Sequence, residues 1–250
     1  MRYASLREGL VGAWCPSVSG PYGYRLPDLS GYGNHGTLTN MDPGSDWVVS
    51  GGKGALDFDG SDDYISIGAA DGLRITGNIS VSAWVYPRST NKLAICVHGA
   101  GNVAAYGMVY SWLTIKNLTW WNSANGSALN TTDTFDLDRW HHFVGTRGPN
   151  GLALYANGIQ VASNSSTESG SGDTSGILAF GRFGSFSGYQ SSSIIDDIRI
   201  YNRPLLQSEI RLLASERGIG LKPERIRNRY SAPATTNTRN RSSRFLGFPA

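Results

Sequence analysis

Cysteine, charge, histidine and long apolar runs are all scarce in this 250-residue chain, and each scarcity removes a class of protein. Two cysteines, Cys15 and Cys96, make neither a disulfide framework nor a cysteine-rich metal scaffold. Both lie in apolar runs, which points to buried free thiols; a bridge between them is the lesser alternative. No segment approaches the ~18 apolar residues that a membrane-crossing helix needs. The first eight residues include Glu8 and no apolar core, so no secretory signal is expected there. The chain is therefore expected to be made in the cytoplasm, or exported by another route. His141 and His142 would face opposite ways on a strand, and His35 and His98 stand alone, so the histidines suggest no metal set. There is no phosphate-binding glycine loop and no nucleophile–base context.

What the chain does have is glycine, 32 residues, beside an apolar fraction of 40% and a charged fraction of 16%. That mixture fits many short strands joined by tight turns around a real core. The stretch from Gly54 to Ile67 shows it best. Leu56 and Phe58 alternate with Asp57 and Asp59, a turn spans Asp59–Asp63, and Ile65 and Ile67 flank Ser66. This predicts a hairpin with one apolar and one wet face. Ile194–Tyr201 has the same character, Ile79–Tyr86 alternates up to Pro87, and Asn157–Gly158 is a two-residue turn between strands. Further strands are expected near Gly9–Cys15, Leu93–Val97, Tyr106–Trp112, Thr114–Trp121, Trp140–Thr146 and Ile177–Phe183. One helix is expected over Leu205–Glu216, with Leu206, Ile210 and Leu213 on one face and Gly218 suited to its cap.

Charge is divided unevenly. Lys222, Arg225, Arg227, Arg229, Arg239, Arg241 and Arg244 stand against Glu224 alone in the last thirty residues, whereas the whole chain carries only +3. The domain is expected to span residues 1–217 and to be mildly acidic. Residues 218–250 form an Arg-rich extended arm with Phe245 and Phe248 near its tip. Guanidinium groups grip carboxylates and phosphates, so the arm suits docking; a solvated tail is the plain alternative.

Seven motifs in one order resemble the laminin G-like, concanavalin A-like domains over residues 8–214. They are Gly9–Trp14, Asp28–Thr37, Gly54–Ile67, Ser80–Pro87, Trp140–Thr146, Leu154–Gly158 and Ile195–Leu205. The resemblance implies an all-β jelly-roll sandwich of two antiparallel sheets, six or seven strands each, to which the periodicity adds one short C-terminal helix. It also implies a calcium ion near the loop Asp28–Gly36, with Asp28, Asn34 and one of Asp196 or Asp197 as side-chain ligands. Adjacent strand residues face opposite ways, and Asp197 is favoured. The alternative is that Asp28 and Asn34 bond only the loop backbone. Asp59, Asp62 and Asp63 form a second acidic group that turn chemistry explains. Tyr110, Trp120, Trp121 and Asn122 are candidates for an aromatic glycan platform; adjacent tryptophans on a strand cannot both face the core.

Retaining glycanases of this fold carry paired carboxylates ~5–5.5 Å apart in a Glu-x-Asp-x-x-Glu run, which this chain lacks, so no enzyme is expected. The expectation is a non-catalytic surface protein of a bacteriophage virion, a capsid decoration or other structural protein. Its sandwich faces outward, with a host glycan as one ligand. Arg225, Arg227, Arg229, Arg239, Arg241, Arg244, Phe245 and Phe248 dock it to virion proteins or to copies of itself. A free-standing extracellular carbohydrate-binding or adhesion module, calcium-dependent in one form, is the alternative; nucleic acid is a lesser partner, and no membrane is implied.

Overall fold

In the computed structural model the two strands of the Gly54–Ile67 stretch are present but do not pair with each other. Lys53–Asp59 bonds to Ser192–Tyr201 and Trp47–Ser50, whereas Tyr64–Gly68 bonds to Ile177–Phe180 and Gly36–Thr39. The expected hairpin is thus a corner that carries the chain from one sheet to the other. Alternation assigns a face to each residue and not a partner to the strand: Leu56 and Phe58 enter the core from one side, Ile65 and Ile67 from the other. The structure describes residues 3–68, 70–91, 93–100, 103–111, 116–122, 127–166, 176–183 and 190–221.

Among the described residues each sheet has eight antiparallel strands, more than the six or seven expected. The first runs Ile159–Asn164, Gly151–Ala156, His141–Gly148, Ile79–Pro87, Ser192–Tyr201, Lys53–Asp59, Trp47–Ser50, with Leu10–Trp14 pairing one end of Ser192–Tyr201. The second runs Ser127–Asn130, Leu118–Asn122, Val103–Tyr110, Leu93–Ala100, Ile177–Phe180, Tyr64–Gly68, Gly36–Thr39, Arg25–Leu26. The arrangement is a jelly-roll sandwich. Trp14, Trp120, Phe58, Phe143 and Phe180 fill the space between the sheets. Asn157 and Gly158 have φ of 51° and 83°, the left-handed pair that a two-residue hairpin turn requires.

A second apolar layer covers the outer face of the first sheet. Leu6, Leu10, Tyr201, Leu205, Ile210, Leu213, Ile219 and Leu221 pack there with Val144 and Tyr155. The body therefore continues through Leu221, beyond the boundary expected at 217. The helix is shorter than expected, Gln207–Leu213. Leu206 is its exposed N-cap residue, not part of the buried face, and the helix ends at Ala214 and not at Gly218. Glu209 turns back to accept from the Leu206 N–H at 2.9 Å and from Arg203 at 2.7 Å, so local capping fixes the helix start. Among the described residues no helix is long and apolar enough to cross a membrane. Cys15 and Cys96 are buried free thiols.

Candidate functional site

The residues expected to hold calcium are occupied otherwise. Asp28 Oδ1 accepts from the N–H groups of Ala13 and Ser30 at 3.0 and 2.9 Å, and Oδ2 from Ser30 Oγ and the Asn34 N–H at 2.8 and 3.0 Å. The Asn34 amide donates to Val11 O at 3.3 Å. Asp197 is gripped by both prongs of Arg199, at 2.8 and 2.9 Å, and by the Gly218 N–H at 2.7 Å. A calcium ion needs six to eight free oxygen donors; as arranged, this set does not fit one.

The expectation that Asp196 and Asp197 face opposite sides also fails. Asp197 has a φ of 51°, and the register slips between Asp196 and Arg199. This bulge lies where Ser192–Tyr201 exchanges one neighbour, Lys53–Asp59, for another, Leu10–Trp14, and it brings both buried carboxylates against residues 217 and 218. Asp196 accepts from the Ser17 N–H at 3.1 Å and lies 3.6 Å from Arg217. Burial, then the charge of Asp197, pushes its carboxyl up to about 6. Arg199 and Arg217, with Ile219 O accepting from Arg199 at 2.8 Å, latch the 217–219 segment over this network. Beneath it, His142 Nε2 meets Ser82 Oγ at 2.9 Å, and burial pushes its imidazole down to about 3.

The aromatic platform is likewise corrected. Tyr110 and Trp120 are in the core, and the Tyr110 hydroxyl donates to Phe135 O at 2.7 Å. Trp121 faces the other way, half-buried, with its ring 5.9 Å from that of Phe183 in an edge-on contact. The two tryptophans do divide between the faces, but the one that leaves the core packs on protein. Asn122 ends the same strand, and its side chain lies outside the described residues. So do Arg225, Arg227, Arg229, Arg239, Arg241, Arg244, Phe245 and Phe248.

The open polar feature lies on the outer face of the first sheet, at the end away from the helix. Ser45, Asp46, Asp57, Asp59, Arg88 and Ser192 bound a cleft of about 530 Å3. Asp57 and Asp59 are the wet alternation partners of Leu56 and Phe58. Ser192 stands opposite Asp59 in the ladder, and the Arg88 N–H bonds Ser192 O at 3.0 Å. The Arg88 guanidinium forks onto both Asp57 oxygens and also reaches Phe58 O at 2.8 Å. Asp46 is oriented by the Asp42 N–H at 2.6 Å and Ser45 Oγ at 2.9 Å. Burial works against ionisation of Asp59, but the N–H groups of Ser61 and Asp62 outweigh it and hold the carboxyl below its usual range. Three carboxylates face one guanidinium, so the cleft is net negative and its acceptors are fixed in place.

Asp59, Asp62 and Asp63 bring carboxylate oxygens within 4.8 Å of one another, the one such group among the described residues. Asp63 is buried, accepts from the Asp59 N–H at 2.9 Å, and is pushed up to about 6 by that burial. A raised carboxyl beside a lowered one is the arrangement of an acid–base pair. Here, however, Asp63 clasps the corner and is not among the residues lining the cleft. A second hollow of about 390 Å3, bounded in part by Thr146, Asn150, Tyr155, Gln160, Ser163 and Leu206, carries no charged side chain.

A family model described as the concanavalin A-like lectin/glucanases superfamily matches residues 59–211. The chain belongs to that superfamily. No curated protein matches this superfamily member in sequence. Solved structures do in fold. Domain 4 of an extracellular arabinanase from Geobacillus stearothermophilus, in complex with arabinotriose, is 19% identical with a TM-score of 0.64, over 82% of this chain and 98% of that one. The binding domain of Paraclostridial Mosquitocidal Protein 1 is 18% identical with a TM-score of 0.64, over 84% and 52%. Trypanosoma rangeli sialidase in complex with sialic acid is 18% identical with a TM-score of 0.60. The alignment covers 82% of this chain and only 32% of that sialidase, so the lectin-like chain corresponds to about a third of that enzyme's length. At these identities the likeness is one of fold. Of the cleft, only Asp57 and Asp59 were marked in the sequence, as the wet face of a strand; Ser45, Asp46, Arg88 and Ser192 converge on them from distant positions that no spacing announces.

Proposed function

We propose that the sandwich is a non-catalytic module that binds neutral glycans in the cleft of Asp46, Asp57, Asp59 and Arg88. The carrying observation is this cleft's fixed, net-negative set of acceptors. Neighbouring sugar hydroxyls donate in pairs to a carboxylate, and a guanidinium donates to ring and hydroxyl oxygens. A sialylated or phosphorylated ligand meets a lining in which Arg88 is already paired with Asp57 and the Asp46 and Asp59 charges are left over, and it is repelled. Support also comes from the arabinanase domain, whose structure holds arabinotriose. In this reading the basic segment 222–250 fastens the module to a larger assembly, a virion surface in its specific form, and the glycan-binding face is displayed outward.

Calorimetric titration with neutral and sialylated oligosaccharides tests the binding. Neutral ligands bind, and Asp57→Asn with Asp59→Asn weakens them about tenfold or more, since bonds to charged groups contribute ~1.5–3 kcal/mol each. Gln160→Ala, in the uncharged hollow, leaves affinity unchanged. Preferential binding of sialylated ligands, or loss of affinity through Gln160→Ala alone, overturns the assignment. Removing residues 222–250 abolishes co-sedimentation with the assembly and leaves glycan binding intact.

A further inference from the structure

The floor of the cleft continues along the sheet into a row of apolar side chains. Ile194 is paired with Asp57 on one side and with Tyr86 on the other, and residues directly opposite in an antiparallel ladder share a face. Ile194 and Tyr86 therefore stand on the outer face beside the cleft residue Asp57. Tyr86 also comes two positions before Arg88, which lines the cleft. Neighbouring strands lie ~4.7–4.9 Å apart, which sets the Tyr86 backbone about 9–10 Å from that of Asp57. Trp140 adds the next ring, its centroid 5.8 Å from that of Tyr86 at an interplanar angle of 66°. Tyr86, Ile194 and Trp140 are half-buried, and none of them belongs to the core between the sheets or to the apolar layer behind the first sheet. Trp84, one row further along, is closed off by the helix, its indole donating to Leu213 O at 3.3 Å. The row from Asp57 to Trp140 thus borders the cleft on one side and the helix end on the other.

We propose that Tyr86, backed by Trp140, is an aromatic subsite adjoining the cleft, so that the ligand is a neutral oligosaccharide laid across the strands. This rests on the glycan reading above and extends it to ligand length. Asp57, Asp59 and Arg88 take one sugar by hydrogen bonds, and the Tyr86 ring takes the C–H face of a following unit. The face of an aromatic ring is the negative side of its quadrupole, which suits the positively polarised C–H groups of a sugar. Trp140 is fixed behind it: the indole N–H donates to Ser50 Oγ at 3.2 Å, and the Arg217 guanidinium lies 4.1 Å over the ring. Tyr86 itself is little committed. Trp140 is the one ring it touches among the described residues, and its hydroxyl makes no hydrogen bond there. A ring already held against a fixed neighbour loses little further freedom on binding. A protein partner is the competing occupant, and the test separates it.

The full chain is titrated with arabinose through arabinohexaose and with the matching xylose and cellulose series. Wild-type affinity rises from the monosaccharide to the oligosaccharides and then levels off. In Tyr86→Ala the rise disappears: the oligosaccharides lose tenfold or more, and the monosaccharide binds as before. Tyr86→Phe retains the rise, because the ring and not the hydroxyl does the stacking. Tyr32→Ala, which removes an exposed ring of the Asp28–Asn34 loop, changes nothing. A purely structural Tyr86 gives a different pattern, a lowered unfolding midpoint with all ligand lengths weakened alike in Tyr86→Ala. That pattern overturns the subsite, as does a rise that survives in Tyr86→Ala. A wild-type affinity flat across the series, the result expected if the row receives a protein, overturns it too. In each of these cases the cleft reading stands. Failure of the wild-type chain to bind any ligand in the series overturns both.

Discussion

Gly145→Ala puts the assignment of Trp120 to the core under direct strain. Gly145 lies mid-strand, paired with Val81 on one side and Leu154 on the other, and the Trp120 ring crosses from the opposite sheet to lie on it. A Cβ there would stand 2.1 Å from Cε3 and 2.5 Å from Cζ3 of that ring. Carbon atoms rest ~3.5–4.0 Å apart, so the indole has to retreat by more than ~1 Å. It has nowhere to go: Trp120 is fully buried, and its own strand is paired on both edges, with Met108 and Leu129 opposite. Overpacking of this kind costs ~1–3 kcal/mol, and the upper end is expected with both backbones fixed. The opposing gain from replacing a strand glycine is ~0.5–1 kcal/mol. A net loss of about 2 kcal/mol lowers Tm by roughly 4–8 °C for a chain of this size. Urea unfolding followed by tryptophan fluorescence, with calorimetry beside it, measures both. Trp120→Phe in the Gly145→Ala background restores part of the loss, and the coupling in the double-mutant cycle identifies the contact. A Gly145→Ala variant within about 0.5 kcal/mol of wild type refutes the packing argument and returns Trp120 to the surface.

Arg199→Leu strands Asp197 in the interior and costs about 3–5 kcal/mol; adding Asp197→Asn recovers much of it, as paired denaturation curves will show. Acid stabilises the fold over one window. Asp196 is pushed up to about 6 by burial and by Asp197, and Asp63 to about 6 by burial, against ~3.9 unfolded. The folded chain therefore binds protons first, so stability is lost as pH rises from ~4 through ~6. Asp196 contributes up to about 3 kcal/mol of that change, and Asp63→Asn with Asp196→Asn flattens the Tm–pH profile. Ending the chain after Leu221 leaves Tm unaltered, whereas ending it after Leu213 removes Arg217, Ile219 and Leu221 and lowers Tm by more than about 5 °C.

The sandwich was legible because period-two alternation and turn residues act over a few positions. Asn157–Gly158 and Pro87 end their strands where the sequence places those ends. The corner at Asp59–Asp63 was not legible as a corner, since the same alternation serves a strand pair in one sheet or two strands facing across a core. The Asp196–Asp197 bulge was hidden for a related reason: it arises where one strand changes neighbours, which is a property of three strands together. Trp120 and Tyr110 looked like a platform because aromatic residues read alike in a core and on a surface. The cleft needed Arg88 and Asp46 beside Asp57, positions that meet only after folding.

Tyr3 and Gly220 are close enough that a side chain on the latter would come within 3.2 Å of Tyr3 Cβ, and Arg7 reaches Leu221 O at 3.5 Å. The body's first and last described residues thus leave from one spot, on the layer that backs the first sheet. A short bridge between them permits circular permutation, with new ends opened at the Asn157–Gly158 tip. By the same geometry, the module can be spliced into a surface loop of a host protein with its two junctions side by side.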